Sequence, residues 1–367
     1  MRKLDRIKVS GYKSLREVDV ELRDLNILIG ANASGKSNFI SLFRFLNEYI
    51  EKRLQTYIKV SGGAESILFF GSKTTKTIGI RLTFGSNELA LDLQPTADDQ
   101  LVITNETPYF RGHGYPRRFL YRTEHTPFKT HVPYTEKRAE KHFYGAIRSW
   151  KLYHFHDTSE SSPMKKPCEI SDNLYFRQNG ENLSAFLYRL KNSKGKFAIN
   201  VENYNNIRDI VRLVFPAFDD FLLIPDPLAE NKIRLQWAEK NSDYPFQAYH
   251  FSDGTLRFIC LATLLLQPSP PATIVIDEPE LGLHPYAIEL LASMLKSAAT
   301  GSTGSQIIVS TQSVTLLNHF QPEDIIVVER EDNETKLKRL NSEELKEWIG
   351  DYSIGELWEK NLIGGRP

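Results

Sequence analysis

Short, mostly apolar runs that stop on glycine or on a polar residue recur along this chain of 367 residues. Leu25-Asn26-Ile27-Leu28-Ile29 stops on Gly30, Thr273-Ile274-Val275-Ile276 on Asp277, and Ile307-Ile308-Val309 on Ser310-Thr311-Gln312. Runs this short, rich in β-branched residues and without alternation, predict strands buried on both faces, as in a parallel sheet. A second kind of strand is predicted where apolar and polar positions alternate. Ile7-Lys8-Val9 and Val18-Asp19-Val20-Glu21-Leu22 form an opening pair, and Ile78 to Phe84 with Leu89 to Leu93 form a hairpin around Gly85-Ser86-Asn87. Ile233 to Trp237 predicts a further strand. Helical spacing follows the first apolar run (Phe39, Ile40, Leu42, Phe43, Phe45, Leu46) and returns at 183–190, at 207–215 and after Ser252. From residue 248 to about 330 strand and helix alternate, and a short tail follows. No repeat is visible, and no sustained heptad lies between Ser37 and Ser252, where prolines interrupt the chain. Long coiled-coil arms are therefore not expected.

The polar residues at the ends of these runs carry chemistry. Gly30-Ala31-Asn32-Ala33-Ser34-Gly35-Lys36-Ser37 fits G-x-x-x-x-G-K-[S/T] between a strand end and a helix start. Glycines let the backbone wrap a phosphate, and the free N–H groups of the helix start bind the anion. Gly30, Asn32, Ser34, Gly35, Lys36, Ser37 and Asn38 are the expected ATP-binding residues. Lys36 neutralises the β- and γ-phosphates, and Ser37 holds Mg²⁺. Asp277 reaches the Mg²⁺ shell from the end of the second run, and Glu278 orients or deprotonates the attacking water. An acidic strand end alone would only cap a turn; its pairing with a phosphate loop gives it a catalytic reading.

Ser252-Asp253-Gly254-Thr255 reads by itself as an ordinary helix N-cap, with N–H groups and a hydroxyl to offer an anion. Its place just before the acidic run makes the chain resemble the ABC-type ATPase heads of the RecF and SMC kind. That resemblance implies that Ser252 and Gly254 touch the γ-phosphate held by a second copy, so that a homodimer, or a higher assembly, shares its ATP sites. The wording Asp253-Gly254-Thr255 departs from the transporter form and is similar to that of soluble RecF-like ATPases. Pro279-Glu280-Leu281-Gly282-Leu283-His284-Pro285 resembles the family's loop across the dimer interface. Gln312 stands where the family often has a histidine that senses the γ-phosphate. Glutamine donates to a phosphate oxygen but does not change charge near neutral pH, so sensing is compatible with it and a proton relay is not; the competing reading is a polar strand-end cap. Tyr153 to Ser159, Arg177 to Leu183, Tyr352 to Trp358 and Gly364 to Pro367 narrow the resemblance to compact bacterial RecF-like "AAA family" ATPases of mobile and antiphage operons. The likeness covers most of the chain outside about 85–150, and Gln178 is the candidate for the glutamine that couples Mg²⁺ to the lobe.

The implied fold class is α/β, a P-loop ABC-type ATPase head with an inserted lobe. Residues 1–84 and 248–335 are expected to form the head, 85–247 the lobe and 336–367 a tail; its segment from Leu345 to Pro367, with Trp348 and Trp358, either packs on the head or docks a partner, and packing is expected because aromatics so spaced are more often buried anchors.

Composition changes this picture little. Hydrophobic residues make up 41% and charged residues 25%, with 46 basic against 46 acidic side chains. No run approaches the roughly 18 apolar residues of a bilayer span. Met1 to Arg6 has charge but no apolar core of a signal peptide, and Cys168 and Cys260 make neither a disulfide framework nor a metal site. A cytoplasmic protein without a membrane partner is expected. Residues 109–151 break the balance with ten Lys or Arg against three acids, interleaved with aromatics. Such a segment suits DNA, with Arg117, Arg118 and Arg122 as contacts, an acidic protein partner, or a solvated lobe face. Overall neutrality weighs against DNA. No acidic cluster of the Toprim kind follows residue 330, so a nuclease or toxin effector is expected on a separate polypeptide. The expected function is a Mg²⁺-dependent ATPase that acts as a switch or clamp in antiphage defence or DNA maintenance. An ATP-holding scaffold that docks a partner, and a RecF-like DNA repair ATPase, are the alternatives.

Overall fold

In the computed structural model, β3 (Leu25–Ile29) is buried at all five positions and lies between two parallel partners. The structure describes residues 3–112, 115–118, 140–195, 198–301 and 304–365. The described chain divides into two compact units, one of residues 1–151, 272–275 and 306–367, the other of 152–271 and 276–305. Labels below follow chain order over both.

The first unit contains β3 within a six-stranded sheet of order β18 (Glu334–Arg339), β17 (Ile325–Glu331), β3, β16 (Gln306–Thr311), β15 (Thr273–Asp277), β8 (Trp150–Tyr153), whose last two strands continue into residues of the second unit. Ile29 stands level with Thr311 on one side and Val327 on the other. Asn26, the one polar residue of β3, is fully buried and satisfied: its Oδ1 accepts from Arg23 N (2.9 Å) and its Nδ2 donates to the carbonyls of Arg23 (2.7 Å) and Ile307 (3.1 Å). A second, antiparallel sheet has the order β2 (Leu15–Glu21), β1 (Arg6–Tyr12), β4 (Ile78–Phe84), β5 (Asn87–Pro95), β6 (Leu101–Gly112), β7 (Tyr115–Arg118). The opening pair and the hairpin are thus present, with Gly85-Ser86 as the turn and Asn87 already paired with Phe84. Helix α1 (Lys36–Ile50) buries Phe39, Phe43, Leu46 and Ile50 at helical spacing.

The tail belongs to this unit. Of its helices α6 (Ser342–Ile349) and α7 (Ile354–Glu359), α7 buries Ile354, Leu357 and Trp358, whereas Trp348 of α6 is 40% exposed. Beyond α7, Gly365 N donates to Glu329 Oε1 (2.7 Å), and a Cβ on Gly365 would stand 3.4 Å from Gly30 Cα and from the Trp358 indole nitrogen. The tail therefore reaches the strand end from which the phosphate motif departs.

In the second unit, α2 (Leu183–Lys191), α3 (Ile199–Val214), α4 (Asp253–Leu266) and α5 (Pro285–Thr300) accompany two three-stranded sheets. Their orders are β10 (Phe218–Leu222), β13 (Gln236–Glu239), β14 (Phe246–Gln247) and β11 (Pro225–Asp226), β12 (Ala229–Ile233), β9 (Cys168–Glu169). Trp237 stacks between Phe246 and Phe251, with ring centroids 4.6 Å away on each side. Phe251 directly precedes Ser252, so this aromatic stack anchors the entry to α4.

Three expectations are corrected. The boundaries 84/85 and 335/336 fall inside paired structure, since β4 pairs with β5 across the first and β18 runs through the second, and 247/248 does not bound a unit either. The strand expected over Ile233 to Trp237 is two strands in two sheets. Ile233, Leu235 and Trp237 are all buried, so the alternation holds while the chain changes partners near Arg234. Period alone reports a face, not a partner. The helix expected from Ile207 begins at Ile199, because its buried stripe continues backwards through the polar residues Asn200 and Tyr204. Both are satisfied, Tyr204 Oη donating to Asp220 Oδ1 at 2.6 Å and Asn200 Nδ2 to Ser193 Oγ at 2.9 Å. Among the described residues no helix is long and apolar enough to cross a membrane.

Candidate nucleotide site

The phosphate motif occupies the turn from β3 to α1. Gly35 has φ +110°, and a Cβ there would collide with the Thr335 side chain, so glycine is required on both counts. Gly35 is also the N-cap of α1 and supplies no side-chain cap, as suits a helix start that faces an anion. Lys36 is 5% exposed, and its Nζ donates to Gly30 O (2.6 Å) and Ala31 O (2.9 Å). Ser34 Oγ is buried with no hydrogen-bond partner. A buried ammonium on the loop's own carbonyls, an orphaned hydroxyl and an uncapped helix start fit a phosphate chain. Ser37 and Asn32 are exposed, while Asn38 directs its Nδ2 to Ser14 Oγ at 2.7 Å. Gln312 follows β16 directly, and the register of Thr311 with Ile29 brings Gln312 and the loop to one edge of the sheet. Ser313, next along, caps a short helix by accepting from Leu316 N at 3.1 Å.

The remaining expected residues lie in the second unit. Asp277 ends β15 and Glu278 follows in left-handed backbone, φ +43°. The Asp277 carbonyl can only accept, so His156 Nε2, 2.9 Å away, carries a proton and donates to it. Ser252 caps α4, its Oγ accepting from Thr255 N at 3.1 Å. Gly254 is closed against the loop after Glu278, for a Cβ would collide with Gly282 O. Arg257, 8% exposed, spends its guanidinium on carbonyls of two segments: Nε on Phe155 O (3.0 Å), Nη2 on His156 O (3.3 Å) and Nη1 on Leu281 O. Burial holds its pKa below the ordinary arginine value, and the Asp253 carboxylate works against that shift. Gln178 is exposed, and its carbonyl accepts from His154 N.

Arg257 and His156 had no assigned role in the sequence. A charged residue inside the apolar run from Leu256 to Leu265 was the available signal, because a buried cation demands partners. The planar fork serves three carbonyls at once, which neither Lys nor Leu can do. Arg257→Leu is expected to destabilise the protein by about 2–4 kcal/mol, as orphaned buried carbonyls do. Arg257→Lys should recover less than half of that loss. Urea midpoints of the three proteins measure both effects.

Arg117 and Arg118 lie in β7 in register with Phe110 and Tyr109, and Arg122 lies outside the described residues. Among the described residues no group of three or more His, Cys, Asp or Glu is arranged to hold a metal ion, and both cysteines are free.

Residues 3–211 match the family described as "AAA ATPase domain", and residues 146–318 the family described as "AAA domain, putative AbiEii toxin, Type IV TA system". The chain is 22% identical over 390 residues to Old nuclease of Escherichia phage P2, in an alignment covering 94% of this chain and 62% of that protein. The chain thus spans less than two thirds of that relative's length. Similar solved structures include an Smc head bound to the C-winged helix domain of ScpA, at 14% identity and TM-score 0.58, covering 94% of this chain and 99% of that one. A second is an Smc head domain with an extended coiled coil bound to the C-terminal domain of ScpA, from Pyrococcus furiosus, at 14% identity and TM-score 0.57, covering 96% and 99%. At these identities the likeness is one of fold: an α/β, SMC-head-like P-loop ATPase fold, with no long coiled coil among the described residues.

Proposed function

The chain belongs to the AAA ATPase domain family, and from that premise we propose that it is a Mg²⁺-dependent ATPase whose head closes on a second copy around ATP and works as a switch or clamp. Membership implies nucleotide hydrolysis, and the fold implies ATP binding, usually with Mg²⁺. The observation that carries the reading is Lys36, held nearly buried on the carbonyls of Gly30 and Ala31 beside an uncapped helix start. Lys36 exchanges those carbonyls for phosphate oxygens, Gly30, Asn32, Ser34 and Gly35 shape the loop, and Asn38 supports it from α1. The Ser37 hydroxyl and the Asp277 carboxylate would hold Mg²⁺, which would supply charge neutralisation at the phosphates. Glu278 takes the proton of the attacking water, and Gln312 donates to the γ-phosphate. Ser252 and Gly254 complete the site of the other copy.

The name of the phage relative supports a role in antiphage defence or DNA maintenance. Nuclease or toxin chemistry is proposed to come from outside the 367 residues of this chain, and Arg117, Arg118 and Arg122 are proposed DNA contacts.

The test is the light-scattering mass of Glu278→Gln with and without Mg²⁺·ATP. A mass that doubles with ATP, and does not double in Glu278→Gln/Ser252→Arg, is expected. A mass indifferent to both ATP and Ser252 would remove the shared-site clamp and leave a nucleotide-holding scaffold.

A further inference from the structure

The phosphate loop is fastened from outside its own motif. Thr335, on β18, is fully buried, and its Oγ1 donates to the carbonyl of Ser34 at 2.9 Å. The same oxygen lies 2.7 Å from Ser14 Oγ in the turn between β1 and β2, and Ser14 Oγ lies 2.7 Å from Asn38 Nδ2 on α1. Each proton in this row is fixed by elimination. The Ser34 carbonyl only accepts, so the single Thr335 hydroxyl proton points there. Ser14 must then donate to Thr335, and the Asn38 amide nitrogen, which only donates, fills Ser14. The result is a one-way chain, Asn38 to Ser14 to Thr335 to the Ser34 carbonyl, in which each bond polarises the next. Thr335 N also donates to Ser14 O at 2.8 Å, so β18 and the β1–β2 turn hold each other in place.

The last link controls the loop's chemistry. In a trans peptide the C=O and the N–H point in opposite directions. Holding the Ser34 carbonyl on Thr335 therefore turns the Gly35 N–H away from β18, and only glycine at 35 leaves room for the Thr335 side chain to stand this close. We propose that Thr335 is a positioning residue for phosphate binding: through its bond to the Ser34 carbonyl, backed by Ser14 and Asn38, it presents the Gly35 N–H to the nucleotide. This rests on the reading of the loop as the ATP site.

Titration of the full chain with Mg²⁺·ATP, alongside melting in the absence of nucleotide, tests it. Thr335→Val keeps the shape and removes the hydroxyl; Thr335→Ser keeps the hydroxyl. Thr335→Val is expected to weaken ATP binding roughly tenfold, the loss of one hydrogen bond's worth of orientation, while Thr335→Ser stays within about twofold of the parent. Ser14→Ala, which leaves Thr335 without its donor, is expected to weaken binding roughly threefold, and Thr335→Val/Ser14→Ala no more than Thr335→Val alone, since members of one chain are not additive. Should Thr335→Val not fold, Ser14→Ala and Thr335→Ser carry the comparison. Lys36→Ala separates the two readings. If it binds ATP as the parent does, the ATP site itself is misplaced. If it fails to bind while Thr335→Val and Ser14→Ala bind as the parent does, or if their losses add, the positioning chain is overturned. A Thr335→Val protein that melts lower but binds ATP normally would show a structural role only, and would also overturn it.

Discussion

Lys36→Ala is expected to lower ATP affinity by at least a hundredfold and to take ATP turnover with it. The ammonium is a charged donor, and hydrogen bonds to charged groups are worth about 1.5–3 kcal/mol each. Two such bonds to phosphate oxygens give about 3–6 kcal/mol, or roughly 10² to 10⁴ in the binding constant. The structure adds an effect that ligand contact alone would not produce. Lys36 Nζ also ties the Gly30 and Ala31 carbonyls together. Removing it should therefore loosen the loop itself, and the alanine protein should lose about 1–2 kcal/mol of stability without any ATP present. Calorimetric titration with Mg²⁺·ATP measures the first effect and urea unfolding without nucleotide the second. An alanine protein that binds ATP within tenfold of the parent would remove Lys36 from the site.

The second large effect lies at Glu278. Glu278→Gln keeps size and hydrogen bonding but removes the proposed base, and general-base removal commonly slows the chemical step by about 10² to 10⁴. ATP affinity should hold or rise, since bound ATP is no longer consumed. The backbone separates this side chain's role from its position. Glu278 sits at φ +43°, a region that disfavours every side chain bearing a Cβ by about 1 kcal/mol or more. Glu278→Gly should therefore be as inactive as Glu278→Gln and about 1 kcal/mol more stable than it. Single-turnover hydrolysis and urea midpoints for the pair test this. A glycine protein less stable than the glutamine protein would mean that the turn is held by the side chain, not tolerated in spite of it.

The parts legible in the sequence share a physical cause. Strands β3, β15 and β16 are buried on both faces, so their composition carries a signal that needs no knowledge of partners. The phosphate loop is legible because glycine and lysine at fixed spacing solve a backbone problem few other residues solve. What stayed hidden depends on partners far along the chain. The break near Arg234 preserves the alternation of Ile233, Leu235 and Trp237 and changes only which sheet each strand joins. The first half of α3 hides its buried stripe behind Asn200 and Tyr204, whose burial makes sense only once Ser193 and Asp220 are beside them. Thr335 is one hydroxyl in an alternating strand, and it meets Ser34 across 301 residues of sequence. His156 reaches Asp277 across 121.

That separation also sets a timetable for the newborn protein. The strand that launches the phosphate loop leaves the ribosome early, yet its parallel neighbours are β16 and β17, the Ser34 carbonyl waits for Thr335, and Gly365 settles beside Gly30. At elongation speeds of about 5–20 residues per second, the loop spends on the order of half a minute without its bed. The antiparallel β1, β2, β4 and β5 can pair in that interval from neighbouring sequence alone. Nucleotide cannot guide those first steps. A nascent chain arrested before Thr335 should be unable to bind ATP, so nucleotide binding is expected to wait for the last strands of the sheet.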